Sequence, residues 1–375
     1  MFNYKELALF KLLYRPVLRR LRHKLRLVHW RWFVSLKLKN LCSRKLKVGF
    51  GPVVTGENTL HTRKWWIDPI VNEINRGRSR YAADIFFEGD DLSRFDIVVL
   101  VKTFDFIDDE TLHRFKKQGI LFIYAIVDNP FGCRRRYDQE TAFISALDGL
   151  VVCNPIQQLD IVKHGVPSLY IDTPNINLSY KQDYADKETI IIIWEGTYYF
   201  MPFMESVERI IRELAAAGGK KIEFIYFTNR PGRDNGMVKH VRWNLAAREE
   251  ILCSADIAVT VKPEGNKYQM RKPSTKLLTY MAAGLPVICT PSEADVRVLE
   301  HGVTGFFAYS DVEWRDCLKK LINDAALRER IGIAGRKFVA REFSVAKTAV
   351  RYIDFFDQLV EAGDGAGEKV INHAD

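Results

Sequence analysis

The chain has 375 residues, 47% of them hydrophobic and 27% charged, with a formal net charge of +9. That length exceeds the usual size of one core and points to two domains of ordinary globular composition. Six cysteines, Cys42, Cys133, Cys153, Cys253, Cys289 and Cys317, form no C-x-x-C pair and mostly lie in or beside apolar runs. Their placement argues against a disulfide frame, a zinc site and secretion, and for reduced thiols in a cytosolic protein.

The positive charge is concentrated at the start. Residues 1–47 hold 14 Lys and Arg against the single acid Glu6, which leaves 42 bases against 46 acids in the remainder. Large apolar groups such as Phe10, Leu18, Trp30, Trp32 and Phe33 are interleaved with these cations. No uninterrupted apolar stretch approaches the roughly 20 residues that span a bilayer, and there is no signal-peptide core with a small-residue cleavage site. The leader, residues 1–46, is read as amphipathic helices on an anionic membrane surface, which sets the protein peripherally at the inner, cytoplasmic face of the plasma membrane. Two alternatives stand beside this reading: a helix packed on the body with a solvated face, and a basic arm for nucleic acid. No nucleic-acid motif accompanies the charge, so no nucleic-acid partner is expected.

After the leader, an apolar run at 46–50 ends in Gly51-Pro52, and the loop to Gly56 precedes a helix-like segment at 65–75. Strand-like runs follow at 83–87, 96–101, 120–127, 149–153 and 168–171, with helical patterns between several of them. The pattern then restarts, with strands at 189–194, 222–227, 238–243, 256–261 and 287–290 and helices at 202–217, 246–253, 312–322, 325–342 and 345–359. Short β-branched runs alternating with helices predict parallel α/β sheets. The expected architecture is therefore two Rossmann-like doubly wound domains facing across a cleft, at 47–175 and 188–345. A C-terminal helix and tail, 346–375, follows, its glycine-rich part after 362 expected to fray.

Within the second domain, residues 271–291 place three cations around a predicted helix start. Pro273 suits the first helical position, Leu277, Leu278 and Met281 keep a helical period, and Gly284 fits the stop. Arg271, Lys272 and Lys276 therefore sit where a helix carries partial positive charge and free N–H groups, an arrangement that an anion would stabilise. A phosphate or diphosphate fits, with Lys272 and Lys276 one turn apart and Ser274 adding a hydroxyl. A solvated basic cap is the bland alternative.

The W-E-G-T turn at 194–197, A-D-I-A-V at 255–259, M-A-A-G-L-P-V-I at 281–288 and E-H-G-V-T-G-F at 300–306 occur in this order. Over residues 188–345 the chain resembles the nucleotide-sugar domain of GT-B glycosyltransferases, especially the retaining family 4. The first domain matches only in outline. The resemblance implies transfer of a sugar from a nucleotide donor held by the second domain to an acceptor held by the first, with a lipid-linked or cell-surface glycan as acceptor and retention of configuration. That family often carries two glutamates separated by seven residues; here the corresponding positions are Arg271 and Thr279. Glu264 looks like the first of them displaced by an insertion, near the donor ribose or sugar, or else an exposed loop residue. The stretch Trp243, Asn244 and Leu245 resembles the one whose backbone reads the base.

Other candidates follow from location. Gly196 and Thr197, where a strand turns into a helix, let backbone N–H groups approach a phosphate, and Thr228, Asn229 and Arg230 end the next strand. Lys262, after the 256–261 strand, and Thr275 complete the donor side. Each has a structural alternative as a tight turn, a satisfied loop or a core aromatic. On the acceptor side, Gly51 and Gly56 suit the cleft floor, with Asn129 beside Asp128. Asp128, at a strand end, is placed to contact an acceptor hydroxyl or take its proton, or simply forms a turn before Pro130. Lys276, with Asp128 and Glu264, makes up the expected catalytic set. No histidine has metal-ligand spacing and no D-x-D motif stands out, so neither a catalytic metal nor a cofactor is expected.

Overall fold

The computed structural model describes residues 44–53, 62–102, 106–126, 142–174, 179–230, 232–263, 265–270 and 272–371. The chain divides into two units, Met1–Lys45 and Leu46–Asp375. All but the last residues of the basic leader lie outside the described residues, and the second unit carries the strands.

Strands β1 (Leu46–Val53), β2 (Tyr81–Phe87), β3 (Ile97–Val101), β4 (Leu121–Ile126), β5 (Gly149–Val152) and β6 (Ser168–Tyr170) form a parallel sheet in the order β2-β1-β3-β4-β5-β6. Strands β7 (Thr189–Gly196), β8 (Lys221–Thr228), β9 (Val238–Arg242), β10 (Ile257–Thr260), β11 (Val287–Cys289) and β12 (Phe306–Phe307) form a second, also parallel, in the order β12-β11-β10-β7-β8-β9. Both faces of each sheet are covered, which is why the strands read as continuous apolar runs. In β3, Ile97, Val99 and Val101 join one core layer while Val98 and Leu100 join the other.

Among the described residues the α-helices longer than four residues are α1 (Asp68–Arg76), α2 (Asp109–Lys117), α3 (Pro155–Val162), α4 (Glu205–Ala216), α5 (Arg248–Ser254), α6 (Thr275–Ala282), α7 (Asp311–Asn323), α8 (Ala325–Glu342) and α9 (Val345–Ile371). Two starts differ from the sequence expectation. A π-helical turn, Arg63–Ile67, precedes α1, and a 3-10 stretch, Tyr198–Met204, precedes α4. In the second case Pro202 lacks an N–H, so the regular helix begins at Glu205.

Helix α9 does not stay with the domain it follows in sequence. Tyr352 and Phe356 pack edge-on against Phe50 and Tyr81 with ring centroids 5.7 and 5.3 Å apart, so α9 closes one face of the first sheet. A Cβ on Gly149 of β5 would meet Leu359 at 2.8 Å, so glycine there lets the helix lie flat on the sheet. The helix also runs on to Ile371 where fraying after 362 was expected, an extension of a helix already nucleated by its packed part.

The connection into β7 is anchored on the second domain by a buried ion pair, Lys181 to Asp256 at 3.1 Å, and by the Tyr184 hydroxyl, which donates to the Gly284 carbonyl at 2.6 Å.

Candidate active site

In the second sheet the strand order reverses between β7 and β10, and ligands of such sheets bind in the crevice beyond the carboxyl ends at that reversal. Strand β7 brings Trp194, Glu195 and Gly196 to this edge, β10 leads into Lys262, and α6 begins beside it with Lys276 at its second position. Trp194 is fully buried in the apolar layer, and its indole folds back under the turn. A Cβ at Gly196 would lie 2.4 Å from that ring and 3.0 Å from Lys276 Nζ, so only glycine lets the backbone pass between them.

Lys276 is half-buried, with its Nζ 4.8 Å from the centroid of the Trp194 indole. Burial, then the nearby Lys272 and Lys262, push its pKa down to about 8, while Glu195 pulls it the other way. The first turn of α6 contains no acid, and among the described residues Lys276 makes no salt bridge to a carboxylate. The Lys272 ammonium lies over the Phe200 ring at 4.7 Å. Lys262 is neutralised by buried Asp295 at 2.8 Å and also donates to Ser292 Oγ and the Lys272 carbonyl. The result is a sheet edge with a protonated lysine at a helix N-terminus and no local counter-charge on α6, an arrangement that lowers its energy by taking up an anion.

Glu195 sits beneath this edge and is buried. Its carboxylate accepts from Trp243 Nε1 at 2.7 Å and from Arg248 through Nε at 2.6 Å and an Nη2 at 3.0 Å. Burial works to raise its pKa, but the Arg248 guanidinium, the Trp243 hydrogen bond and Lys276 outweigh it and hold the carboxylate below its ordinary value. The Glu195 amide donates to the Tyr280 hydroxyl at 2.7 Å, tying β7 to α6.

The remaining donor-side candidates have differing local roles. Asn229 Oδ1 accepts from the Tyr198 amide at 2.9 Å and the Thr228 hydroxyl donates to the Arg230 carbonyl at 2.8 Å, while Arg230 stacks over Tyr199. Trp243 stacks on Phe227, Asn244 caps the turn through the Ala246 amide, and Leu245 is half-buried beside them. Thr197 is exposed and Thr279 half-buried one turn along α6. The Ser274 hydroxyl differs from the expectation: it is buried and donates to Asp295 Oδ1 at 2.8 Å, so its proton is directed to that carboxylate.

Thr275 reaches across to the first domain, its hydroxyl 2.7 Å from that of Thr173. The same seam holds Arg297 over the Tyr170 ring at 5.0 Å and Arg351 donating to the Tyr170 carbonyl. Asp172 is buried there, accepts from the Tyr170 hydroxyl at 2.6 Å, and keeps its Oδ1 without a hydrogen-bond partner. Gly51, near the carboxyl end of β1, is buried within its sheet, where a Cβ would meet the Phe86 carbonyl at 2.5 Å. Asp128, Asn129, Gly56, Glu264 and Arg271 lie outside the described residues.

The sequence carries no signal that marks Arg248, Asp295 or Tyr280 as site residues, and only a weak one for Glu195. An acid at the end of the apolar strand run 189–194 was the available signal for Glu195; its partners are distant in sequence and carry none. Among the described residues no group of three or more His, Cys, Asp or Glu is arranged to hold a metal, and no helix is long and apolar enough to cross a membrane. The described cysteines, Cys153, Cys253, Cys289 and Cys317, form no disulfide among the described residues.

The two six-stranded parallel sheets with their helices have the GT-B fold. Residues 208–354 match the model of a family described as glycosyl transferase-like. The structure is similar to sucrose-phosphate synthase from Thermosynechococcus elongatus, with a TM-score of 0.61 and 11% identity over 85% of this chain and 100% of that one. It is also similar to HepE from Anabaena in complex with UDP and glucose, with a TM-score of 0.57 and 12% identity over 84% and 100% of the two chains. A third likeness is to a putative UDP-N-acetylglucosamine 2-epimerase from Listeria monocytogenes, at a TM-score of 0.54 and 10% identity over 85% and 98%. At such identities the likeness is one of fold. No curated protein sequence matches the chain.

Proposed function

We propose that the protein is a glycosyltransferase that moves a sugar from a nucleotide-sugar donor, held by the second domain, to a lipid-linked or cell-surface glycan acceptor at the cytoplasmic face of the membrane. The observation that carries this reading is Lys276, half-buried at the N-terminus of α6 between the Trp194 indole and Gly196, with Lys272 and Lys262 close by. When the sugar leaves as an oxocarbenium-like species, negative charge grows on the terminal phosphate of the departing nucleoside diphosphate. A preplaced ammonium and the helix amides stabilise that charge most strongly once water is excluded, and one such contact lowers the barrier by on the order of 3 kcal/mol. Asp128 would accept the proton of the acceptor hydroxyl and Glu264 would face the donor sugar. Transfer proceeds without a divalent metal or cofactor and with retention of configuration, and the basic leader, 1–46, holds the enzyme on anionic lipid.

The test is to incubate the protein with a panel of nucleotide sugars and measure release of nucleoside diphosphate, for the wild type and Lys276→Ala. Release by the wild type and about a hundredfold less by the variant is the expected outcome; equal rates would remove Lys276 from the reaction. Binding to anionic vesicles is expected to vanish when residues 1–46 are deleted.

A second reading is a sugar-nucleotide-binding module that has lost the reaction. It is favoured by Arg271 and Thr279 standing where the related family carries its glutamates. Nucleotide binding without any diphosphate release would select it.

A further inference from the structure

The π-helical turn Arg63–Ile67 of the first domain splits a tryptophan pair: Trp66 is buried in the sheet core, whereas Trp65 is only partly buried against it. Trp65 meets the second domain. The guanidinium of Arg248 lies over its ring, 5.1 Å from the centroid. That same guanidinium pairs through two nitrogens with the Glu195 carboxylate and is itself buried, at 5% exposure. Glu195 in turn holds the Trp243 indole N–H and, through its amide, the Tyr280 hydroxyl of the helix that carries Lys276. A single line of direct contacts thus runs from an aromatic face in one domain to the proposed donor-site residues of the other.

We infer that Trp65 and Arg248 are positioning residues for the nucleoside diphosphate part of the donor. This inference rests on the donor reading given above. The indole of Trp65 roofs the Arg248–Glu195 pair and keeps water from it. Dry, the two-pronged pair is rigid, so Glu195 fixes the Trp243 indole and the charge that Lys276 feels. When the first domain moves away, the pair becomes hydrated, its geometry loosens, and the base-side wall and the diphosphate-side lysine lose their common anchor. The first domain thereby sets the affinity of a ligand that it does not touch. π-Helical turns are rare and concentrate at functional positions, which fits the placement of Trp65 on one.

The experiment measures the dissociation constants of UDP, GDP and ADP for the full chain by titration calorimetry, in the wild type, Trp65→Leu and Trp65→Phe, with thermal midpoints recorded alongside. Trp65→Leu keeps bulk without an aromatic face and is expected to weaken the preferred nucleotide about fivefold to tenfold, the scale of one partly desolvated cation–π contact. Trp65→Phe restores the face and is expected to stay within about twofold of the wild type. Trp243→Phe, which removes the indole N–H without touching the first domain, provides the second arm. In that background Trp65→Leu should cost clearly less, because only the branch through Lys276 remains, and an undiminished effect there overturns the relay. Wild-type binding left unchanged in Trp65→Leu also overturns it while leaving the donor reading intact. A wild type that binds none of the three sinks the donor reading and this inference together.

Discussion

The ammonium of Lys276 rests 4.8 Å from the centre of the Trp194 indole, in space that exists only because residue 196 has no side chain. The aromatic face attracts the cation, but burial and two neighbouring lysines disfavour it, and the balance brings its pKa to about 8. A group whose pKa is depressed on folding contributes stability above its unfolded pKa and loses it as pH falls through the folded value. At neutral pH the charged Lys276 is therefore a cost to the free protein.

Lys276→Met should accordingly separate stability from function. At pH 7 its thermal midpoint is expected to equal or exceed that of the wild type, while nucleotide-sugar turnover falls about a hundredfold. A variant that melts earlier and yet turns over normally would contradict both halves.

The same lysine predicts how donor binding depends on pH. A diphosphate binds the protonated form, so affinity is flat below about 8 and falls up to roughly tenfold per pH unit above it, with proton uptake on binding. Calorimetry of nucleoside diphosphate binding at pH 7 and pH 9, in buffers of differing ionisation enthalpy, measures both effects. No proton uptake and no loss of affinity at pH 9 would place the phosphates elsewhere.

Asp172 carries the opposite sign. Burial raises its carboxyl to about 6, against the Tyr170 hydrogen bond and the charges of Arg297 and Arg351, with Asp295 adding slightly to the rise. An acid whose pKa is raised on folding gives stability that is present below its unfolded value and is lost as pH rises through the folded one. Asp172→Asn should therefore be more stable than the wild type above pH 6, by on the order of 1 to 3 kcal/mol, and should flatten the stability profile between pH 4 and 7. Urea unfolding across that range is the measurement, and parallel profiles for the two proteins would refute the assignment.

Close backbone approach predicts the most damaging small change. In α8 a Cβ on Gly332 would meet the Gly284 carbonyl at 2.2 Å and the Tyr184 ring at 2.9 Å. Gly332→Ala must push the helix off the turn that follows α6, and a loss of about 1 to 3 kcal/mol is expected. Chemical denaturation should show it as a lower midpoint with an unchanged slope.

Much of the fold was legible because strands buried on both faces write themselves as apolar runs. The runs at 189–194 and 222–227 appear as β7 and β8 with ends moved by at most two residues. Strand β12 has two residues and the turn Asp295–Val298 only four, too short to show a period. At the candidate site, the basic residues around α6 stood out because cations at a helix start contradict the backbone dipole. Glu195 with Arg248, and Asp295 with Lys262, did not stand out, because a buried ion pair joins residues that only the fold brings together.

Helix α9 supplies Tyr352, Phe355, Phe356 and Leu359 to the core of the sheet that the ribosome makes first. The opening domain therefore cannot seal one face of its sheet until the last helix has left the exit tunnel. At roughly 5 to 20 residues per second, the 174 residues between β6 and α9 mean a delay on the order of ten seconds or more with a bare apolar face. Nascent chains halted before residue 345 should thus be good clients for chaperones, and translation itself would time when the two halves can meet.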